Sequence, residues 1–135
     1  MNTTTASYDE LTKSVSSNLA TLRADLPDVM KAFNDLARTA TREGALDKKT
    51  KELIALALGV AAHCDPCIGF HAKTLVQLGA TRAEVEEALG MAVYMGGGPS
   101  LMYSANAVAA FDEFAAAAMK RPTIGLDSSV DHAAT

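Results

Sequence analysis

The chain has 135 residues, a length that fits one domain, 1–135, better than two. Its 12 Lys and Arg against 16 Asp and Glu leave a formal charge of −4, which argues against the basic surface of a nucleic-acid binder. With 49% hydrophobic residues the chain is too apolar to be disordered, and only 5% aromatics with no Trp point to closely packed, alanine-rich helices.

The residues before Tyr8 are polar and have neither the basic start nor the apolar stretch of a leader peptide. A first helix is expected from about Tyr8 to Arg23, with Leu11, Val15, Leu19 and Leu22 at helical spacing. Pro27 suits the first turn of a second helix. Its apolar stripe is Leu26, Val29, Met30, Phe33, Leu36, Ala37 and Ala40, and Gly44 is expected to stop it as a left-handed cap. Asp47 reads as the N-cap of a third helix, charged at Lys48 to Glu52 and then apolar on every side from Leu53 to Ala62. A helix with no polar face belongs at the centre of so small a protein or at a subunit contact. That run is also the longest apolar stretch, far short of the ~20 residues a membrane span needs, so no membrane partner is expected and the location expected is cytoplasmic.

Pro66 marks the break before a fourth helix, from about Cys64 to Leu78, capped by Gly79. Thr81 and Glu84 form a capping box for a fifth, whose buried stripe is Val85, Ala88, Leu89 and Ala92. Gly96, Gly97 and Gly98 break the chain, and Pro99 opens a last helix to about Met119. Met91, Met95 and Met102 read as core filler. The tail 121–135, which includes His132, is expected to be mobile or docked on a neighbour. No strand pattern appears, so the expected fold is all-α with about six helices.

The chemistry concentrates at Cys64-Asp65-Pro66-Cys67 and His71. A Cys-x-x-Cys pair at a helix start brings both sulfurs within bonding reach, and the positive end of the helix favours a thiolate. His71 lies four residues after Cys67, on the same helix face, where it can accept the Cys67 proton. A third group is needed to orient it. Glu52, twelve residues before Cys64 and at the boundary between the charged and apolar parts of its helix, is the candidate. Two other readings stay open. The cysteines could form a structural disulfide, a pairing disfavoured in a reducing compartment. Alternatively Cys64, Cys67 and His71 could hold zinc with Glu52 or His63, although the second ligand pair usual in structural zinc sites is missing. His63 itself reads as a cation at a helix end.

These residues resemble the alkylhydroperoxidase D-like proteins of the carboxymuconolactone decarboxylase family. The shared pattern is Glu52, then Cys64 and Cys67, then His71, set in LDKKTKELIALALGVAAHCDPCIGFHAKTLVQLGATRAEVEEAL, and the likeness covers about 25–119. It implies an all-α homo-oligomer, a trimer or hexamer in many relatives, and no flavin, haem or metal cofactor. The implied activity is thiol-dependent reduction of an organic hydroperoxide, with a lipoyl or thioredoxin-like dithiol as electron donor. Cys67 would attack the peroxide, Cys64 would resolve the product to a disulfide, and Glu52 and His71 would relay protons. One position departs from the pattern. The best-known members have a His just before the second cysteine, and here Pro66, which moves no proton, stands there. Thiol–disulfide exchange without peroxide chemistry, a redox-sensing or zinc-holding oligomer and a decarboxylase-type lyase are the alternatives. The last is disfavoured because the lyase branch does not depend on a Cys-x-x-Cys pair.

Overall fold

A computed structural model describes residues 7–120, which form six α-helices with no strand among them. They are α1 (Tyr8–Asp25), α2 (Pro27–Thr41), α3 (Lys48–Ala61), α4 (Asp65–Gln77), α5 (Arg82–Gly96) and α6 (Gly98–Lys120). The expected tail and His132 lie outside the described residues.

Local signals set most helix ends. Ser7 caps α1 by accepting from the Glu10 N–H at 3.0 Å, and Asp47 caps α3 by accepting from the Thr50 N–H at 2.7 Å. Thr81 and Glu84 make the reciprocal capping box of α5, at 3.1 and 2.9 Å. Gly79 takes a left-handed turn (φ 76°) after α4. The end of α2 differs from expectation. The helix stops at Thr41, and Gly44 lies beyond it without a left-handed backbone. The Lys51 ammonium of α3 reaches back to the carbonyls of Ala40 and Arg42 at 3.0 and 2.7 Å, satisfying the open C-terminal end of α2 with a cation instead of a glycine turn.

The core is built around α4, which packs on α1, α3 and α6. Ile68, Ala72 and Leu75 of α4 share one buried cluster with Leu56 and Val60 of α3, Val85 and Leu89 of α5, and Ala107, Ala110, Phe111 and Phe114 of α6. Alanines on α4 and α6 let the helices approach closely. Two glycines do the same where a side chain would be crowded. A Cβ on Gly69 would stand 2.7 Å from the Thr12 methyl of α1, and one on Gly59 would stand 3.2 Å from Cys67 Cβ.

The apolar stripes are only partly used. On α3, Leu56, Gly59 and Val60 face the core, but Ile54 and Leu58 are exposed, so this helix is not buried all round within one chain. Of the α2 stripe, Met30 is buried while Val29, Phe33 and Leu36 are 61–62% exposed. Met91, Met95 and Met102 also face outward, correcting their reading as core filler. Helical periodicity identifies an apolar face, and here one chain is too small to cover every face it makes.

Candidate functional site

The site forms where α3 turns into α4. The α3 end closes with paired bonds from the Cys64 N–H to the Gly59 carbonyl and from the His63 N–H to the Val60 carbonyl, each 3.0 Å. That closure needs a left-handed residue, normally glycine, and His63 fills the place with φ 55°. A non-glycine residue there bears a penalty of roughly 1–2 kcal/mol. The His63 ring stacks on Tyr103 of α6, with centroids 4.6 Å apart and planes 2° from parallel, which supports the turn from outside. His63 thus lies at the end of α3, as expected, and is also the left-handed residue of the turn before the motif.

Cys64 is then the N-cap of α4, its Sγ accepting from the Cys67 N–H at 3.3 Å. Cys64 and Cys67 are joined as a disulfide, with Cα atoms 5.2 Å apart. Pro66 sits in the first turn, where no intrahelical N–H is required. The bare backbone of Gly59 lets α3 lie directly against Cys67.

Glu52 projects from α3 and His71 from α4, one turn beyond Cys67. Their side chains meet with His71 Nδ1 2.6 Å from Glu52 Oε2. Glu52 is 5% exposed, and a carboxylate so enclosed requires a charged or strongly donating partner. His71 keeps about a third of its side chain exposed. With Nδ1–H donating to the carboxylate, Nε2 is the ring nitrogen with a lone pair to take a proton. The geometry therefore brings together the four residues singled out in the sequence: a bonded cysteine pair at a helix start, and a carboxylate–imidazole pair one turn farther along. Among the described residues no group of three or more His, Cys, Asp and Glu is arranged to hold a metal ion.

Two further residues join the site with no local sequence signal. The Tyr8 hydroxyl of α1 donates to Asp65 Oδ1 at 2.9 Å, so α1 touches the motif itself. Glu113 of α6 holds Tyr8 in turn, accepting from the Tyr8 and Asp9 N–H groups at 3.0 and 2.8 Å. Burial first, then the hydrogen bond to Asp65 and the nearby charges of Asp65, Tyr103 and Glu113, push the Tyr8 phenol far up, so it remains a donor. Tyr8, Asp65, Asn106 and Glu113 line an open cleft of about 420 Å³ between α1 and α6.

The sequence profile of the carboxymuconolactone decarboxylase family matches residues 27–111. An apo protein of that family from Legionella pneumophila has a crystal structure similar to this one, with a TM-score of 0.79 and 59% identity over 80% of this chain and 96% of that one. A family member from Thermotoga maritima, for which a part in an antioxidative response has been suggested, gives a TM-score of 0.74 and 31% identity over 85% of this chain and 98% of its own. An uncharacterised protein of Cupriavidus necator is 43% identical over 86 residues, 64% of this chain and 76% of that protein.

Proposed function

The chain belongs to the carboxymuconolactone decarboxylase family, and we propose that it is a thiol-dependent peroxidase that reduces organic hydroperoxides through Cys64 and Cys67. The observation that carries this reading is the juxtaposition of a bondable cysteine pair with His71, one turn along α4 from Cys67, and its partner Glu52 on α3.

The chemistry follows from that order. His71 Nε2 takes the Cys67 proton, and the Glu52 carboxylate stabilises the imidazolium. The Cys67 thiolate attacks the terminal peroxide oxygen, the O–O bond breaks, and the departing alkoxide takes a proton to become the alcohol. Cys67 is left as a sulfenic acid. Cys64, held three residues away, forms the S–S bond and expels water; its closeness gives it a high effective concentration. One hydroperoxide and two thiols thus become one alcohol, one water and the disulfide. A lipoyl or thioredoxin-like dithiol restores the thiols by exchange.

Pro66 favours a second reading, since it offers no proton within the motif: exchange with a partner's thiols and little peroxide turnover. The exposed faces of α2 and α3 suit a homo-oligomer, a trimer or hexamer, as the assembled form.

The deciding experiment mixes fully reduced protein with an organic hydroperoxide in stopped flow and follows the Cys64–Cys67 bond by quenched mass spectrometry. Fast, concentration-dependent loss of two hydrogens, abolished in His71→Ala, is the expected result. Oxidation no faster than that of a free thiol refutes the peroxidase reading and leaves exchange. In Cys64→Ser a sulfenic acid should accumulate on Cys67; its appearance on Cys64 in Cys67→Ser would reverse the roles.

A further inference from the structure

The helix that carries the cysteines is gripped by α1 at two neighbouring points. Gly69 of α4 accepts the close approach of Thr12 and Tyr8, and the Tyr8 hydroxyl bonds the Asp65 carboxylate. Asp65 is the residue between Cys64 and Pro66, so a negative charge lies in the same dipeptide as one of the two thiols. A tyrosine 57 residues away in the chain is its side-chain partner.

We propose that Tyr8 is a positioning residue for the redox pair: it holds the Asp65 carboxylate in place and thereby limits how strongly that charge opposes a thiolate at Cys64. This inference rests on the proposed thiol–disulfide chemistry of Cys64 and Cys67. Two physical effects support it. A carboxylate beside a thiol disfavours the thiolate, and a hydrogen bond from a neutral donor disperses the carboxylate charge. The first turn of α4 is short of donors, because Pro66 has no N–H and the Cys67 N–H already donates to Cys64 Sγ at 3.3 Å. Without the phenol, Asp65 is free to turn toward the Cys67 N–H and compete with the Cys64 sulfur for it. The phenol's raised pKa keeps it a neutral donor at the pH where thiols titrate. The other ionisable groups around the contact are Glu113 and Tyr103 from α6 and His63 from the preceding turn, which stacks on Tyr103. Glu113 is committed to the α1 N–H groups, so it secures the helix that brings Tyr8.

The prediction has a sign for each partner. Reduced protein is alkylated with iodoacetamide across a pH series, and the Cys64 adduct is quantified by mass spectrometry. Asp65→Asn should move the midpoint down by about one pH unit, a tenfold change in thiolate fraction at a given pH. Tyr8→Phe, which keeps the ring and removes only the hydroxyl, should move it up by roughly half a unit, about threefold. In the Asp65→Asn background Tyr8→Phe should have no effect, because the charge it manages is gone. A merely structural loosening would move both single variants in the same direction. An unchanged or lowered midpoint in Tyr8→Phe, or a shift that persists undiminished with Asn at position 65, overturns the proposal. If Tyr8→Phe fails to fold, as judged by circular dichroism, the absence of a downward shift in Asp65→Asn does so alone. The assay needs no peroxide. Protein inert to hydroperoxide that still showed the opposed shifts would sink the peroxidase reading and leave this one standing; peroxidase activity without the shifts would do the reverse.

Discussion

Replacing Glu52 by Gln isolates the charge of the buried carboxylate from its shape. The amide oxygen of Gln can still accept from His71 Nδ1, so the 2.6 Å contact and the packing of α3 on α4 should survive. What is lost is the negative charge opposite the imidazolium that forms when His71 takes the Cys67 proton. A hydrogen bond to a charged group contributes about 1.5–3 kcal/mol. Glu52 is almost fully enclosed, so water replaces little of that contribution. If proton transfer to His71 is part of the rate-limiting step, the same energy appears in the barrier, where each 1.36 kcal/mol is about tenfold in rate. Glu52→Gln should therefore slow disulfide formation by roughly 10- to 150-fold. The assay is single-turnover oxidation of the reduced protein by an organic hydroperoxide, with circular dichroism to establish that the variant is folded. Changing one partner of a buried pair also alters stability, so unfolding is followed in parallel. A rate within about twofold of the unsubstituted protein in a folded variant would refute the argument that the carboxylate supports a charged His71.

Three further outcomes follow from the packing and the charges. Gly69→Ala puts a methyl 2.7 Å from Thr12, so α1 must shift; overpacking of about 1–3 kcal/mol should outweigh the ~1 kcal/mol gained in helix propensity. A urea midpoint that is unchanged or raised would contradict this. Glu84 is held below its ordinary value of 4.5 first by the Lys49 ammonium at 2.7 Å and then by the Thr81 N–H. The unfolded chain therefore takes up this proton first. The contribution is present above 4.5 and is lost as pH falls through the lower folded value. Thermal melts should show that loss and Glu84→Gln should flatten it, whereas an equal acid slope in the variant would refute the pairing. Phe33→Glu places a charge in the exposed α2 stripe and should shift sedimentation to a smaller species with helicity retained, and an unaltered assembly would mean that α2 lies outside the interface.

What was readable in the sequence was what neighbouring residues decide among themselves. Asp47, Thr81 with Glu84, Pro27 and Gly79 each act within one helical turn, so the chain announces those boundaries without reference to its fold. The Glu52–His71 contact joins two helices, yet it was legible too. Glu52 stands where a charged segment becomes apolar, and His71 shares a face with Cys67. The rest depended on what only the assembled helices bring together. Gly44 had the right residue type for a left-handed cap, but Lys51 from the next helix does that work with a positive charge. The stripe Val29–Phe33–Leu36 has the period of a core face, and periodicity is blind to whether the covering surface comes from the same chain. Tyr8 and Tyr103 have no neighbours that mark them. Their partners lie 57 and 40 positions away, and each meets a residue beside a cysteine only after α1 and α6 have closed on α4. The cysteine motif is thus written within one helical turn, while the side chains that contact the residues flanking it come from α1 and α6. A sequence comparison confined to the motif would find the first and miss the second.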